Sequence, residues 1–317
     1  MRIADDVHTE PLPSLSSSSA LPLPLNATAR MLDTEHGRVM LYEKGEGSPI
    51  LFVHSFNAAG SAVELRPLFD RFAKTNRVIA FDWLGFGRSE RPDIEYSPAL
   101  YRSLLKTVLD EVSPDPVDVI SLSLPSQYVV LQAVDDADGF RRIALISPTG
   151  FGRFGGAGSD RFLSVLRNTP VGGALFRLLR TGPSIDYFIN KLFVDKKRIP
   201  AGYRRYNRLT TREPGSQYAP IYFVSGKLND PHAPAAYERV AVPTLMVFGE
   251  QCAFADPMAG QRLADCNVML KVVTFADAAD LPQIELPDAT YNVISHFLAD
   301  EPKPEVKPRA IRSKKKS

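Results

Sequence analysis

Cysteine is nearly absent from this 317-residue chain. The two it has, Cys252 and Cys266, are too few for a disulfide framework or a cysteine-rich metal site. They suit a reducing compartment, which makes a cytoplasmic location the expectation. Histidine is scarce too, with five in the chain, and no metal-ligand spacing appears, so no metal is expected. Missing as well are a glycine-rich phosphate loop and a G-x-G-x-x-G turn after a strand, and no cofactor is expected. Gly152 through Gly158 reads as a flexible entrance to the segment beyond it. No apolar run approaches the roughly 18–20 residues of a membrane span. What remains is an ordinary globular mixture, 44% hydrophobic and 23% charged, which excludes a disordered, collagenous or coiled-coil chain. Its length leaves room for one large domain or two small ones.

The formal charge of +2 conceals an uneven distribution. Residues 1–28 are net −2 and residues 301–317 net +5, whereas 151–240 hold fifteen Lys/Arg against six Asp/Glu. That middle segment is therefore basic beside an acidic remainder. The lead, 1–28, is rich in proline and serine and is expected to be extended and poorly ordered. Acidic residues stand where a signal peptide would be positive, so it is a poor signal peptide. The tail, 301–317, reads as a solvated basic arm; no aromatics interleave with its cations, so nucleic acid is not the expected partner.

Between the tails, short β-branched runs bounded by turn residues predict strands at Val39–Tyr42, Ile50–Val53, Val78–Phe81, Val117–Ser121, Arg142–Ile146, Thr244–Phe248 and Val268–Thr274. Segments 61–73, 98–112, 126–136, 257–265 and 288–299 carry helical spacing, as in Leu104, Leu105, Val108, Leu109 and Val112. Such alternation predicts a doubly wound, mostly parallel α/β sheet with helices on both faces. Residues 151–240 interrupt the rhythm with a helical, aromatic and basic insertion.

Three strand-to-loop junctions stand out. His54, Ser55, Phe56 and Asn57 come directly after the Ile50–Val53 strand. Asp82, Gly85, Gly87 and Ser89 form a D-x-x-G-x-G-x-S stretch after the next, and Ser121, Ser123 and Pro125 occupy the turn after Val117–Ile120. Together these resemble the α/β-hydrolase family over about residues 35–300. The resemblance implies a core at 29–150 and 241–300 with a helical lid at 151–240. It places Ser123 at the nucleophile elbow, where a strained turn lifts a serine hydroxyl above the sheet. Oxyanion donors would be the N–H groups of Leu124 and Phe56. Small residues are needed at the ±2 positions; here they are Ser121 and Pro125, the latter tolerable in a first helical turn.

The same resemblance exposes what is missing. A serine needs a base, and the family's base is a histidine on the loop after the last strand. The segment Leu281, Pro282, Gln283, Ile284, Glu285 looks like the family's stretch immediately C-terminal to that histidine, which puts Asp280 in its place. At the acid position stands Cys252. His54 is structural in the family; His232, after the insertion, is the candidate substitute base, with Glu250 or Asp256 as displaced acids. A carboxylate nucleophile, as in related dehalogenases, is excluded because residue 123 is serine.

The insertion's apolar residues, among them Phe162, Leu166, Phe176, Tyr187 and Phe188, recur at helical spacing with arginines between. They are expected to pack against the sheet domain, with lining of a ligand pocket or contact with an anionic membrane surface as the sharper reading. Three functions stay open. One is a protein with an incomplete triad that binds a lipophilic or anionic small molecule, or a protein partner. The second is an esterase- or lipase-type serine hydrolase using Ser123 with a nonstandard base, and the third is a scaffold acting through its tails.

Overall fold

The computed structural model describes residues 21–152 and 158–299. Eight strands form one sheet: β1 Thr28–Thr34, β2 Gly37–Lys44, β3 Pro49–Val53, β4 Arg77–Phe81, β5 Val117–Leu122, β6 Phe140–Ile146, β7 Thr244–Gly249 and β8 Leu270–Phe275. Their spatial order is β1-β2-β4-β3-β5-β6-β7-β8. The pairs β1/β2 and β2/β4 are antiparallel, and all others are parallel. Helices α1 Arg66–Phe72, α2 Pro98–Val112 and α3 Ser126–Asp135 connect the central strands. Between β6 and β7 lie α4 Asp160–Asn168, α5 Pro170–Leu179, α6 Gly182–Lys191, α7 Tyr203–Thr210, α8 Tyr218–Val224 and α9 Ala233–Arg239. The chain closes with α10 Pro257–Cys266, α11 Pro282–Glu285 and α12 Pro287–Ala299.

Central strands buried on both faces read as continuous apolar runs, and period-two alternation sends their side chains into two separate cores. Leu51 and Val53 of β3, with Val117 and Val119 of β5, join α2 and α3 on one face. Ile50 and Phe52, with Ile120 and Leu122, join α1 and α12 on the other. Each fully buried side chain of this kind is worth roughly 1.5–3 kcal/mol.

The D-x-x-G-x-G-x-S stretch is a scaffold turn. The Asp82 carboxylate accepts from Tyr42 Oη at 2.6 Å, Ala62 N at 2.8 Å and Arg88 N at 2.8 Å. A Cβ on Gly87, at φ 51°, would sit 2.0 Å from the Asp82 carboxyl carbon, so only glycine lets the chain wrap that close.

Several expectations change. The lead is not poorly ordered through residue 28: Leu21 and Leu25 are buried, and Tyr206 Oη donates to the Pro22 carbonyl at 3.4 Å. These leucines join the apolar face shared with α1, and burial outweighs the low complexity of their segment. Strand β1 carries no strand signal of its own, because it is a half-exposed edge that owes its form to pairing with β2. Strand β8 begins at Leu270 instead of Val268: the Asn267 side chain closes a turn on Met269 N, which leaves Val268 exposed. Residues 1–20, the glycine-rich entrance at 153–157 and the 301–317 tail lie outside the described residues.

Candidate active site

Ser123 lies just past β5 with φ 59°, a left-handed conformation that L-residues seldom adopt. The backbone around it fixes that turn. Ser123 N donates to the Ile146 carbonyl on β6 at 2.9 Å, and Ser126 N donates back to the Ser123 carbonyl at 3.1 Å. Pro125 caps α3 with φ −58°, at the helix start where an N–H has no intrahelical acceptor, and its carbonyl accepts from Tyr128 N at 2.9 Å. Ser121 is fully buried with its hydroxyl accepting from Ser126 Oγ at 3.2 Å, which shows how the other departure from glycine is accommodated. Among the described residues, neither the Ser123 hydroxyl nor the N–H groups of Phe56 and Leu124 have a hydrogen-bond partner. Phe56 is held by its ring, stacked on Phe86 at 5.0 Å and tilted against Tyr101 at 4.6 Å.

The polar groups nearby are committed elsewhere. His54 is fully buried; its Nδ1–H donates to the Ser55 carbonyl at 2.7 Å and its Nε2 accepts from Trp83 N at 3.1 Å. Both ring nitrogens are thus used by backbone, and burial holds the imidazole pKa below its ordinary value. Asp280 is buried where the resemblance called for histidine. Its carboxylate accepts from Ala253 N at 2.7 Å, Phe254 N at 3.0 Å and Ala255 N at 3.0 Å. Burial raises its pKa against the pull of those donors. The Cys252 thiol is 3.8 Å from Ser147 Oγ, and burial with the neighbouring Asp280 charge pushes its pKa up to about 12. It is a neutral thiol at pH 7 and cannot serve as the orienting acid.

Among the described residues, the remaining candidates make no hydrogen bond to Ser123. His232 is exposed where α9 begins, its backbone N bonded to Asp230 Oδ1 at 2.9 Å, and it makes no hydrogen bond to Ser123. Asp256 caps α10 by accepting from Ala259 N at 2.9 Å, and Glu250 is exposed. Among the described residues no group of three His, Cys, Asp or Glu could hold a metal ion.

Two carboxylates that sequence reasoning passed over complete the site. Glu64, on the short 3₁₀ turn Ala62–Leu65, is buried and clamps the Phe56 loop: it accepts from Ser55 N at 3.0 Å, Ser55 Oγ at 2.8 Å and Asn57 Nδ2 at 2.7 Å. Burial, outweighing these donors, moves its pKa from 4.5 to about 7. Glu285 ties the helical layer to the β8 loop, accepting from Val194 N at 2.8 Å, Asp195 N at 3.2 Å and Ala279 N at 2.7 Å. A lone acid within the apolar Ala62, Val63, Leu65 run was the available signal for Glu64, since a buried charge must be engaged.

A groove of about 320 Å³, lined by Lys106, Asp110, Val117 and Phe140 among others, opens at the other end of the strands, away from Ser123.

An elbow between β5 and α3, a sheet of this order and helices inserted after β6 define a hydrolase-type α/β protein. Residues 50–306 match the alpha/beta hydrolase family, and the chain belongs to that family. It is 33% identical over 114 residues to 2-hydroxymuconate semialdehyde hydrolase of Pseudomonas putida, a match over 36% of this chain and 41% of that one. To haloalkane dehalogenase 2 of Mycobacterium tuberculosis it is 29% identical over 180 residues, 55% of this chain and 56% of the relative. The chain therefore spans about two-fifths to just over half of the length of these relatives. Among solved structures it resembles a serine hydrolase involved in carbazole degradation, with TM-score 0.70 and 18% identity over 86% of this chain and 98% of that one. It also resembles the enol-lactonase from Burkholderia xenovorans LB400, with TM-score 0.68 and 17% identity over 86% of this chain and 100% of that one. At such identities the likeness is one of fold.

Proposed function

We propose that this family member keeps the nucleophile elbow without an ordinary triad. On this reading it binds an apolar or anionic small molecule beneath the helical layer instead of turning over esters. One observation carries it: both oxygens of the carboxylate at the histidine position are engaged by three backbone N–H groups. A serine hydroxyl becomes a useful nucleophile only when a base takes its proton, and here the hydroxyl has no acceptor among the described residues. Two relatives it resembles are named as a 2-hydroxymuconate semialdehyde hydrolase and a haloalkane dehalogenase. The dehalogenase reading is the weaker, because residue 123 is serine.

A second reading, a hydrolase with a nonstandard base, is favoured by one feature: the unpartnered N–H groups of Phe56 and Leu124 are what an oxyanion would accept from. A fluorophosphonate probe separates the two. The expected result is no adduct at Ser123 by mass spectrometry. A stoichiometric adduct that Ser123→Ala abolishes would establish the second reading and end the first.

A further inference from the structure

Large apolar side chains open to solvent concentrate in one place. Phe162 and Val165 on α4, Val171 and Leu178 on α5, and Tyr187 and Phe188 on α6 are all exposed, Leu178 to 61% and Tyr187 to 54%. These three helices are consecutive in the chain, and α5 packs on both α4 and α6, so the side chains belong to one layer. The buried face of α6, Ile185 and Ile189, is already used against the core. Among the described residues, these outward-pointing side chains stay open to solvent.

The same layer carries unneutralised positive charge. Between residues 160 and 198 there are eight Lys/Arg and three Asp. Each aspartate is taken: Asp160 by Lys227 at 2.6 Å, Asp186 by Arg204 at 3.3 Å and by Arg208, and Asp195 by Arg198 at 4.0 Å. Arg167 reaches Asp93 at 3.0 Å. Among the described residues, Arg161, Arg177, Arg180, Lys191, Lys196 and Lys197 are exposed and have no carboxylate partner.

Exposed apolar patches of this kind mark contact surfaces. A second copy of the chain is a poor occupant, because a two-fold interface sets the same cations against each other. An occupant of negative charge is required. Single apolar side chains interspersed with cations fit a fluid layer with an apolar interior and anionic headgroups better than a protein with fixed pockets. We infer that α4–α6, with the short turn Lys196–Arg198 that follows them, dock on an anionic lipid surface, the apolar side chains entering the acyl boundary while the six cations meet the headgroups. This holds whether or not Ser123 has chemistry.

The test is co-sedimentation of the full chain with phosphatidylcholine vesicles, with and without phosphatidylserine, at two salt concentrations. Binding only to the phosphatidylserine vesicles, weakened by salt, is expected. Arg177→Gln with Arg180→Gln should lower that affinity by about 25-fold, since each cation near such a surface contributes about fivefold. Leu178→Ser with Phe188→Ser should lower it as well while leaving the salt dependence unchanged. Circular dichroism checks each variant; Lys196→Gln with Lys197→Gln, two exposed side chains outside the α-helices, repeats the charge arm if the arginine variant misfolds. Indifference to both vesicle types overturns the proposal. So does binding that neither charge variant weakens, or concentration-dependent dimerisation, without vesicle binding, that Leu178→Ser with Phe188→Ser abolishes.

Discussion

The end of β5 and the ends of β3, β7 and β8 treat their polar groups in opposite ways. At β5, Ser123 keeps a strained backbone and a hydroxyl with no hydrogen-bond partner among the described residues. Around it, Glu64, Asp280 and Glu285 are carboxylates with both oxygens engaged, and most of their donors are loop N–H groups. The elbow is therefore held by backbone bonds to Ile146 and within α3, independently of any catalytic partner. A loop whose N–H groups are buried must find acceptors, and an acid at position 280 meets that need where an imidazole would not.

The largest break of this contrast comes from removing a clamp. Asp280→Ala leaves three backbone N–H groups without their acceptor, and a loss of about 3–5 kcal/mol in unfolding free energy is expected from urea titration. Asp280→His should cost a similar amount, so a base introduced there arrives in a weakened loop. It also arrives without an orienting acid. Hydrolysis of p-nitrophenyl acetate should stay at the Ser123→Ala background in Asp280→His and rise only when Cys252→Asp is added, because triad members act as a unit. Measurable turnover by the natural chain, lost in Ser123→Ala, would show that the elbow is less isolated than its surroundings imply.

The second effect is smaller and depends on pH. Burial raises the Glu64 pKa from 4.5 to about 7, so the folded protein holds this proton more tightly than the unfolded chain. The stabilising contribution is present below pH 4.5 and is lost as pH rises through 7, a change of about 3 kcal/mol. Asp82 and Tyr203 face this carboxylate, and ionised Asp82 pushes its pKa the same way as burial does. Unfolding free energy measured across that range should fall with this slope, and Glu64→Gln should flatten it. An unchanged slope in the variant would mean that the clamp is ionised throughout.

How much of this was legible in the sequence depends on what each residue needs. Central strands β3 to β7 announce themselves because both of their faces are buried, and the elbow because Ser121, Ser123 and Pro125 sit where a strand gives way to a helix. Cys252 and Asp280 could be placed only through the family resemblance of the stretches beginning at Gly249 and Leu281, but not their bonding. Three N–H groups converging on Asp280 from residues 27, 26 and 25 positions earlier leave no local pattern. Glu64 was hidden for the same reason, since its partners lie in a loop seven to nine residues away. The packing of Leu21 and Leu25 depends on an apolar face assembled from distant elements, including Tyr206, and composition alone could not supply it.

The finest comparison lies within the elbow itself, between its backbone and its side chain. The Ser123 hydroxyl has no hydrogen-bond partner among the described residues, so Ser123→Ala removes none and should change stability by less than about 0.5 kcal/mol. The φ of 59° is a different matter, because a Cβ is disfavoured there and glycine is not. Ser123→Gly should therefore raise the unfolding free energy by about 1 kcal/mol over Ser123→Ala, less whatever glycine adds to the entropy of the unfolded chain. The difference between the two variants isolates the strain, since both lack the hydroxyl. An alanine variant that loses about 1.5 kcal/mol or more would reveal a buried partner for the hydroxyl and break the contrast between the elbow and the carboxylates around it.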